Sequence, residues 1–229
     1  MPARMSPVEG ATRLIVGTGG FAALLFGAAG TIAWPAGWLY LAVITAVMVG
    51  YTAILLRVHP DLIEERRRPP ADAKRWDKPF VAVVGVLGPI TLLVLCGLDH
   101  RFRWSAPDPM WVQAGGFLAM AAGGSLTNWA VASNRFFSGL VRIQRDRGHR
   151  VVDTGPYRLV RHPGYAGSMI YMMGAPFALE SRVALVAAVV LCAVLVVRTA
   201  LEDRTLKAEL DGYADYAGRV RFRIVPGVW

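Results

Sequence analysis

Acidic residues are missing from a long early stretch: no Asp or Glu occurs between Glu9 and Asp61. That absence disposes of a nucleotide-binding reading. Residues 13–22, RLIVGTGGFA, imitate a dinucleotide fingerprint through Gly17, Gly19 and Ala22, but the fingerprint needs an acidic partner about 20 positions further on. Its small residues are read instead as a helix interface. Cysteine is equally scarce. Cys96 and Cys192 both fall in apolar runs, without Cys or His at metal-ligand spacing, so no metal is expected and they serve as small buried hydrophobes. There is no Ser-His-Asp order, His-Glu-x-x-His or phosphate-cradling loop, and no closely paired catalytic carboxylates are found, which leaves the familiar hydrolase and nucleotide-dependent chemistries unsupported. Internal repeats and low-complexity tracts are absent as well.

What is abundant is apolar sequence. Hydrophobic residues make up 55% of the 229 positions, more than a soluble domain of this size hides around one core. Apolar stretches recur at about 14–33, 36–56, 80–98, 110–132, 164–179 and 183–201. Most approach the ~20 residues that cross a ~30 Å hydrocarbon layer; 164–179 is short enough to be tilted or half of a helical hairpin. The reading is an all-α, polytopic membrane helix bundle of five to six transmembrane helices. The first stretch exceeds a signal-peptide core and is followed by more spans, so it is expected to be retained. Trp34, Trp38, Trp104 and Trp111 sit near the expected outer ends, where an interfacial belt places them.

Charge gives the orientation. With six spans and an inner N-terminus, 22 of the 25 Lys and Arg lie on one side, and only Arg101, Arg103 and Arg182 on the other. The positive-inside rule then puts both termini in the cytoplasm, as expected of a bacterial inner-membrane protein. Acidic residues divide 13 to three, so the formal charge of +9 lies wholly on the inner side. These basic runs are tied to membrane ends, which points to topology and the lipid bilayer as partner, with no nucleic acid. The segment 57–79 reads as a solvated, charged inner loop with a Pro-Pro break, suited to gating access or touching headgroups, and His59-Pro60 marks the end of the second span.

The chain changes character after a four-span region, 1–133. Residues 134–229 comprise a long inner loop, a helical pair hinged near Glu180-Ser181-Arg182, and a tail. The last apolar run passes without a break into RTALEDRTLKAEL, so one helix should emerge from the bilayer carrying Arg198 and Glu202 at i and i+4 on one face. Within the loop, DTGPYRLVRHPGYAG (153–167) interrupts the apolar chain with glycines, prolines, tyrosines, arginines and His162. Gly155 lets backbone approach a ligand closely, and Pro163 and Gly164 suit a helix start. Tyr157 and Tyr165 bracket His162 and offer faces that attract a ligand cation. On residue types alone, interfacial anchoring and topology explain these tyrosines, Arg158 and Arg161 equally well.

The run GPYRLVRHPGYAG, with VRIQRDRGHRVV upstream and RTALEDRTL downstream, closely resembles the isoprenylcysteine carboxyl methyltransferase and phospholipid methyltransferase superfamily of integral membrane enzymes, over about 136–226. The resemblance implies a cytosol-facing C-terminal pocket for S-adenosyl-L-methionine. His149, Arg150, Val151 and Val152 would line the cofactor with Tyr157 and Gly155 against it, and His162, Pro163, Gly164 and Tyr165 would hold its polar end. Gln144 would be the family's cofactor-contacting glutamine, although a gapless count back from His149 lands on Arg142. Glu202 would contact the cofactor and Arg198 the methyl acceptor, these two forming the catalytic pair. Tyr216 and Pro226 also fit the pattern.

Methyl transfer displaces sulfur from a carbon already activated as a sulfonium, so the protein mainly aligns donor and acceptor and excludes water. A carboxylate acceptor needs no base, and Arg198 would hold it by a charge-assisted bond. A thiol or lipid amine would need one, with His162 or Glu202 as candidates. The implied partner is a lipophilic small-molecule or lipidated acceptor. A sterol-type reductase using NADPH shares a similar His-Pro-x-Tyr region but carries an acidic residue where Ser168 stands, and a non-catalytic membrane scaffold is the third reading.

Overall fold

The computed structural model describes residues 7–67 and 72–229. All regular structure among them is helical. Helix α1 (Pro7–Ala29) ends where Gly30 takes φ +68°, a left-handed stop that glycine adopts without a Cβ clash. Helix α2 (Pro35–Arg57) begins on a proline, whose missing N–H costs nothing at that position. After the short α3 (Asp61–Arg67), α4 (Asp77–Ala82) runs through a π turn at Val83–Leu87 into α5 (Gly88–Phe102). Pro89 accounts for that widening, because it removes one backbone donor and crowds the preceding turn.

Helices α6 (Met110–Ser133) and α7 (Pro163–Ala178) form the most extensive pair in the molecule. Glycine makes this possible: a Cβ on Gly123 would lie 2.5 Å from the Gly167 carbonyl oxygen, and the reverse substitution would clash as closely. Helix α8 (Arg182–Glu209) follows a tight turn in which Glu180 has φ +55° and the Ser181 hydroxyl accepts from the Ala184 N–H. Its 28 residues reach about 42 Å at 1.5 Å per residue, roughly 12 Å beyond a ~30 Å hydrocarbon layer. That surplus matches its polar end, Glu202 to Glu209. The short α9 (Tyr213–Arg219) then folds back against it.

The long helices close a ring: α1 packs on α2 and α5, α5 on α8, α8 on α7, and α6 on both α7 and α2. Leu25, Leu93, Met120 and Leu195 fill its centre. Outside, Ile15, Val49, Leu118, Val186 and Val190 are exposed, which water would not favour and lipid would. The chain is an integral membrane helix bundle. Val8–Ala29, Pro35–Arg57, Asp77–Phe102 and Arg182–Glu209 are long and apolar enough to cross; α6 and α7, expected to make five or six, fall outside that set of four. At 16 residues, α7 spans only about 24 Å.

Three expectations change. Helix α1 starts earlier than residue 14 and stops before 33. Trp34 is no interfacial anchor: it is buried and stacked on His100 at 4.1 Å, whereas Trp38, Trp104 and Trp111 are exposed. Segment 57–79 is not uniformly solvated, since it holds α3 and the wholly buried Asp77; its Pro69-Pro70 break lies outside the described residues. Of the small residues assigned to a helix interface, Gly17 faces Met48 of α2, while Gly19 faces open space.

Candidate active site

The basic ends of the helices meet around one cavity of about 270 Å³, close to the lower bound of roughly 300 Å³ usual for small-molecule sites. Its walls are the loop after α6, the start of α7, the polar end of α8, and α9. Gln144, His149, Arg150, Val151, Val152, Tyr157, His162, Gly164, Tyr165, Arg198 and Glu202 all line it. Gly155 and Pro163 do not. Gly155 has φ +57°, and a Cβ there would lie 2.3 Å from the Ser133 hydroxyl, so it shapes the turn against α6. Pro163 is the first residue of α7.

Tyr165 donates its phenol proton to Glu202 Oε2 at 2.5 Å. Its ring lies parallel to that of His162, 5.8 Å away, with the Arg198 guanidinium 5.2 Å from its centre. The bend at His162 and the polar end of α8 are therefore in direct contact. Glu202 Oε1 accepts no hydrogen bond among the described residues and borders the cavity. The expected pairing of Arg198 with Glu202 along the helix is not formed. Arg198 instead bonds Asp77 at two points, Nε to Oδ1 at 2.7 Å and Nη2 to Oδ2 at 2.9 Å.

His149 Nδ1 accepts the Gln144 N–H at 3.2 Å, which leaves its proton on Nε2. Burial, with the charges of Arg142 and Arg147 added, pushes its pKa down to about 4, so the imidazole is neutral at physiological pH. Gln144 is buried, and its amide is committed, donating to the Phe136 carbonyl at 2.7 Å and accepting from Arg147. Tyr157 accepts from Asn134 at 3.2 Å, and its carbonyl accepts the Tyr216 hydroxyl at 2.8 Å. Burial raises the Tyr157 phenol above its ordinary value, so it stays protonated. Pro226 is exposed in the tail and does not border the cavity.

The family model for phospholipid methyltransferases matches residues 111–210, which include almost all of α6, the HPGY turn and the whole of α8. Through these residues the chain is similar to the phospholipid methyltransferase family. Protein-S-isoprenylcysteine O-methyltransferase B of Arabidopsis thaliana is 31% identical over 113 residues, 48% of this chain and 57% of that protein. Its A counterpart is 33% identical over 78 residues, covering 34% and 40%. The chain thus spans about half the length of the curated relatives it matches. A solved eukaryotic intramembrane Ras methyltransferase, isoprenylcysteine carboxyl methyltransferase, superimposes with a TM-score of 0.59 over 96% of this chain and 77% of that one, at 16% identity. The chain shares that protein's fold.

Sequence reasoning overlooked two acidic residues. Asp77 lies before the family-matched region, and its partner is 121 positions away. Asp203, beside Glu202, takes a two-point bond from Arg161 at 2.7 and 3.0 Å and one bond each from Arg223 and Tyr213 at 3.0 Å. Because the Tyr213 hydroxyl already donates to Asp203, it meets His162 Nε2 at 3.4 Å as an acceptor. Arg161, ambiguous between topology and ligand, is thereby a buried structural cation joining α7, α8 and the tail. The signal available in the sequence was the adjacent pair Glu202-Asp203 at the membrane exit, where two carboxylates must find different partners.

Proposed function

We propose that this protein transfers the methyl group of S-adenosylmethionine to a lipophilic acceptor at the inner membrane face. The observation that carries the reading is the convergence of Tyr165, Glu202, His162 and Arg198 on the same cavity. The donor set suits a sulfonium nucleoside: the Glu202 carboxylate offers an unbonded oxygen to a cation, Tyr157 and Phe136 offer ring surface, and neutral His149 can donate from Nε2. When bound, the cofactor supplies an electrophilic methyl carbon. Transfer makes one bond from acceptor to carbon and breaks the carbon–sulfur bond, whose electron pair stays on sulfur.

The chain's own contribution is alignment and exclusion of water. Tyr165 fixes the rotamer of Glu202, and His162 is held by Asp203 and Tyr213, so neither must reorganise during reaction. For an amine or thiol acceptor, Glu202 Oε1 is the available proton acceptor. Both termini lie in the cytoplasm in this reading, with α6 and α7 completing six spans, and an acceptor carrying an isoprenyl chain agrees with the curated relatives' names. Isothermal titration of S-adenosylmethionine into the purified chain tests it: binding that Glu202→Ala or His162→Ala weakens at least ~10-fold, about 1.4 kcal/mol, is expected. Unchanged binding in both variants refutes the site.

A further inference from the structure

Asp77 is wholly buried at the start of α4. Besides the two-point bond to Arg198, its Oδ2 accepts the Val141 N–H at 2.8 Å, and Arg198 Nη2 also donates to the Gly139 carbonyl at 3.0 Å. A guanidinium fork grips a carboxylate through parallel N–H groups. Here the protein's own carboxylate already fills that fork. Among the described residues, Arg198 Nη1 alone of its nitrogens makes no hydrogen bond, and Arg198 borders the cavity.

The charges at this end follow. Asp77 cancels Arg198, and Glu202, one helical turn further along α8, leaves the group with a net negative charge. Arg198 is also the first charged residue after the apolar run from Val183 to Val197. A hydrophobic acceptor moving out of the bilayer along α8 therefore meets the Asp77–Arg198 pair before it meets Glu202.

We propose that Asp77 is a specificity-determining residue: by occupying the fork of Arg198 it makes the bilayer end of the cavity disfavour an anionic head group and select a neutral or cationic one, an amine or thiol. This rests on the methyl-transfer reading for where the acceptor lies, but not for its test. Asp77 acts through Arg198 and the Val141 backbone, so it is a positioning residue. Its removal takes the group from net negative to neutral and frees the Arg198 fork for an anion, which loss of rigidity alone does not do.

The test uses the full chain in detergent micelles and three probes sharing a farnesyl chain: S-farnesylthioacetic acid, farnesyl thiol and farnesylamine. Affinities are read by titration without cofactor. The wild type is expected to bind the carboxylate at least ~10-fold more weakly than the amine. Asp77→Asn should shift that ratio at least ~10-fold towards the carboxylate, while Asp77→Asn with Arg198→Gln, again neutral as a pair, should return it to the wild-type order. Should the single variant fail to fold, the double variant and Asp77→Glu must both keep the wild-type order. Equal wild-type binding of carboxylate and amine, an unmoved ratio in a folded Asp77→Asn, a reversed order in the double variant, or no binding of any probe overturns the proposal. Failure of S-adenosylmethionine to bind sinks the methyl-transfer reading and leaves the head-group order standing.

Discussion

Asp203→Ala should be among the most damaging single substitutions in this protein outside the helix core. Asp203 and Arg161 have side chains 1% and 3% exposed, so removing the carboxylate strands a guanidinium where water cannot reach it. Breaking a buried pair from one side costs about 3–5 kcal/mol. Arg161 Nη1 keeps the Val220 and Arg221 carbonyls at 2.8 Å each, which places the loss near the lower figure. For a chain of this length, about 3 kcal/mol lowers Tm by roughly 6–12 °C. Tryptophan fluorescence during heating of the detergent-solubilised chain reads this directly. Replacing both partners by apolar residues, Arg161→Met with Asp203→Leu, should recover at least half of the loss, because no charge is then left unpaired. A fall of less than about 2 °C in Asp203→Ala would refute the reasoning, since the Val220 and Arg221 carbonyls would then be enough to satisfy Arg161 without the carboxylate.

Two further outcomes are expected. Gly155→Ala forces a Cβ into the left-handed region and against Ser133, so it should destabilise by about 1–3 kcal/mol, and a matched Ser133→Gly should restore only the steric part in the same melting assay. His149 has a folded pKa of about 4 against 6.5 in the unfolded chain, so the unfolded state binds the extra proton between these values. Stability should therefore fall as pH drops from 6.5 towards 4, and His149→Gln should flatten that part of a Tm-versus-pH profile; an unchanged slope would show that His149 is not buried neutral.

Local features were legible in the residues themselves. Pro163 opens α7 and Gly155 turns the chain as their backbone chemistry requires, and each of the six apolar stretches became part of a helix. The merger of the last apolar run with RTALEDRTLKAEL into one helix was legible too, because nothing in it breaks a helix. Partnerships between distant segments were not. Arg198 and Glu202 share a face at i and i+4, yet each finds its partner elsewhere, in Asp77 and Tyr165, since tertiary contacts in a buried place outweigh a pairing worth a few tenths of a kcal/mol. Trp34 illustrates the same limit: position near a span end suggests an anchor, while the ring of His100, 66 residues later in the chain, draws it inside. Most of the residues expected at the cavity border it through sequence-local reasoning joined to resemblance, whereas Asp77 and Asp203 needed the packed structure.

The most direct measurement is transfer of an isotopically labelled methyl group from S-adenosylmethionine to farnesyl-chain carboxylate, thiol and amine acceptors by the purified chain, followed by mass spectrometry. The account predicts a gain of one methyl on at least one acceptor, lost in Glu202→Ala. No labelled product from any of the three, with a folded protein that melts as the wild type should, would contradict it.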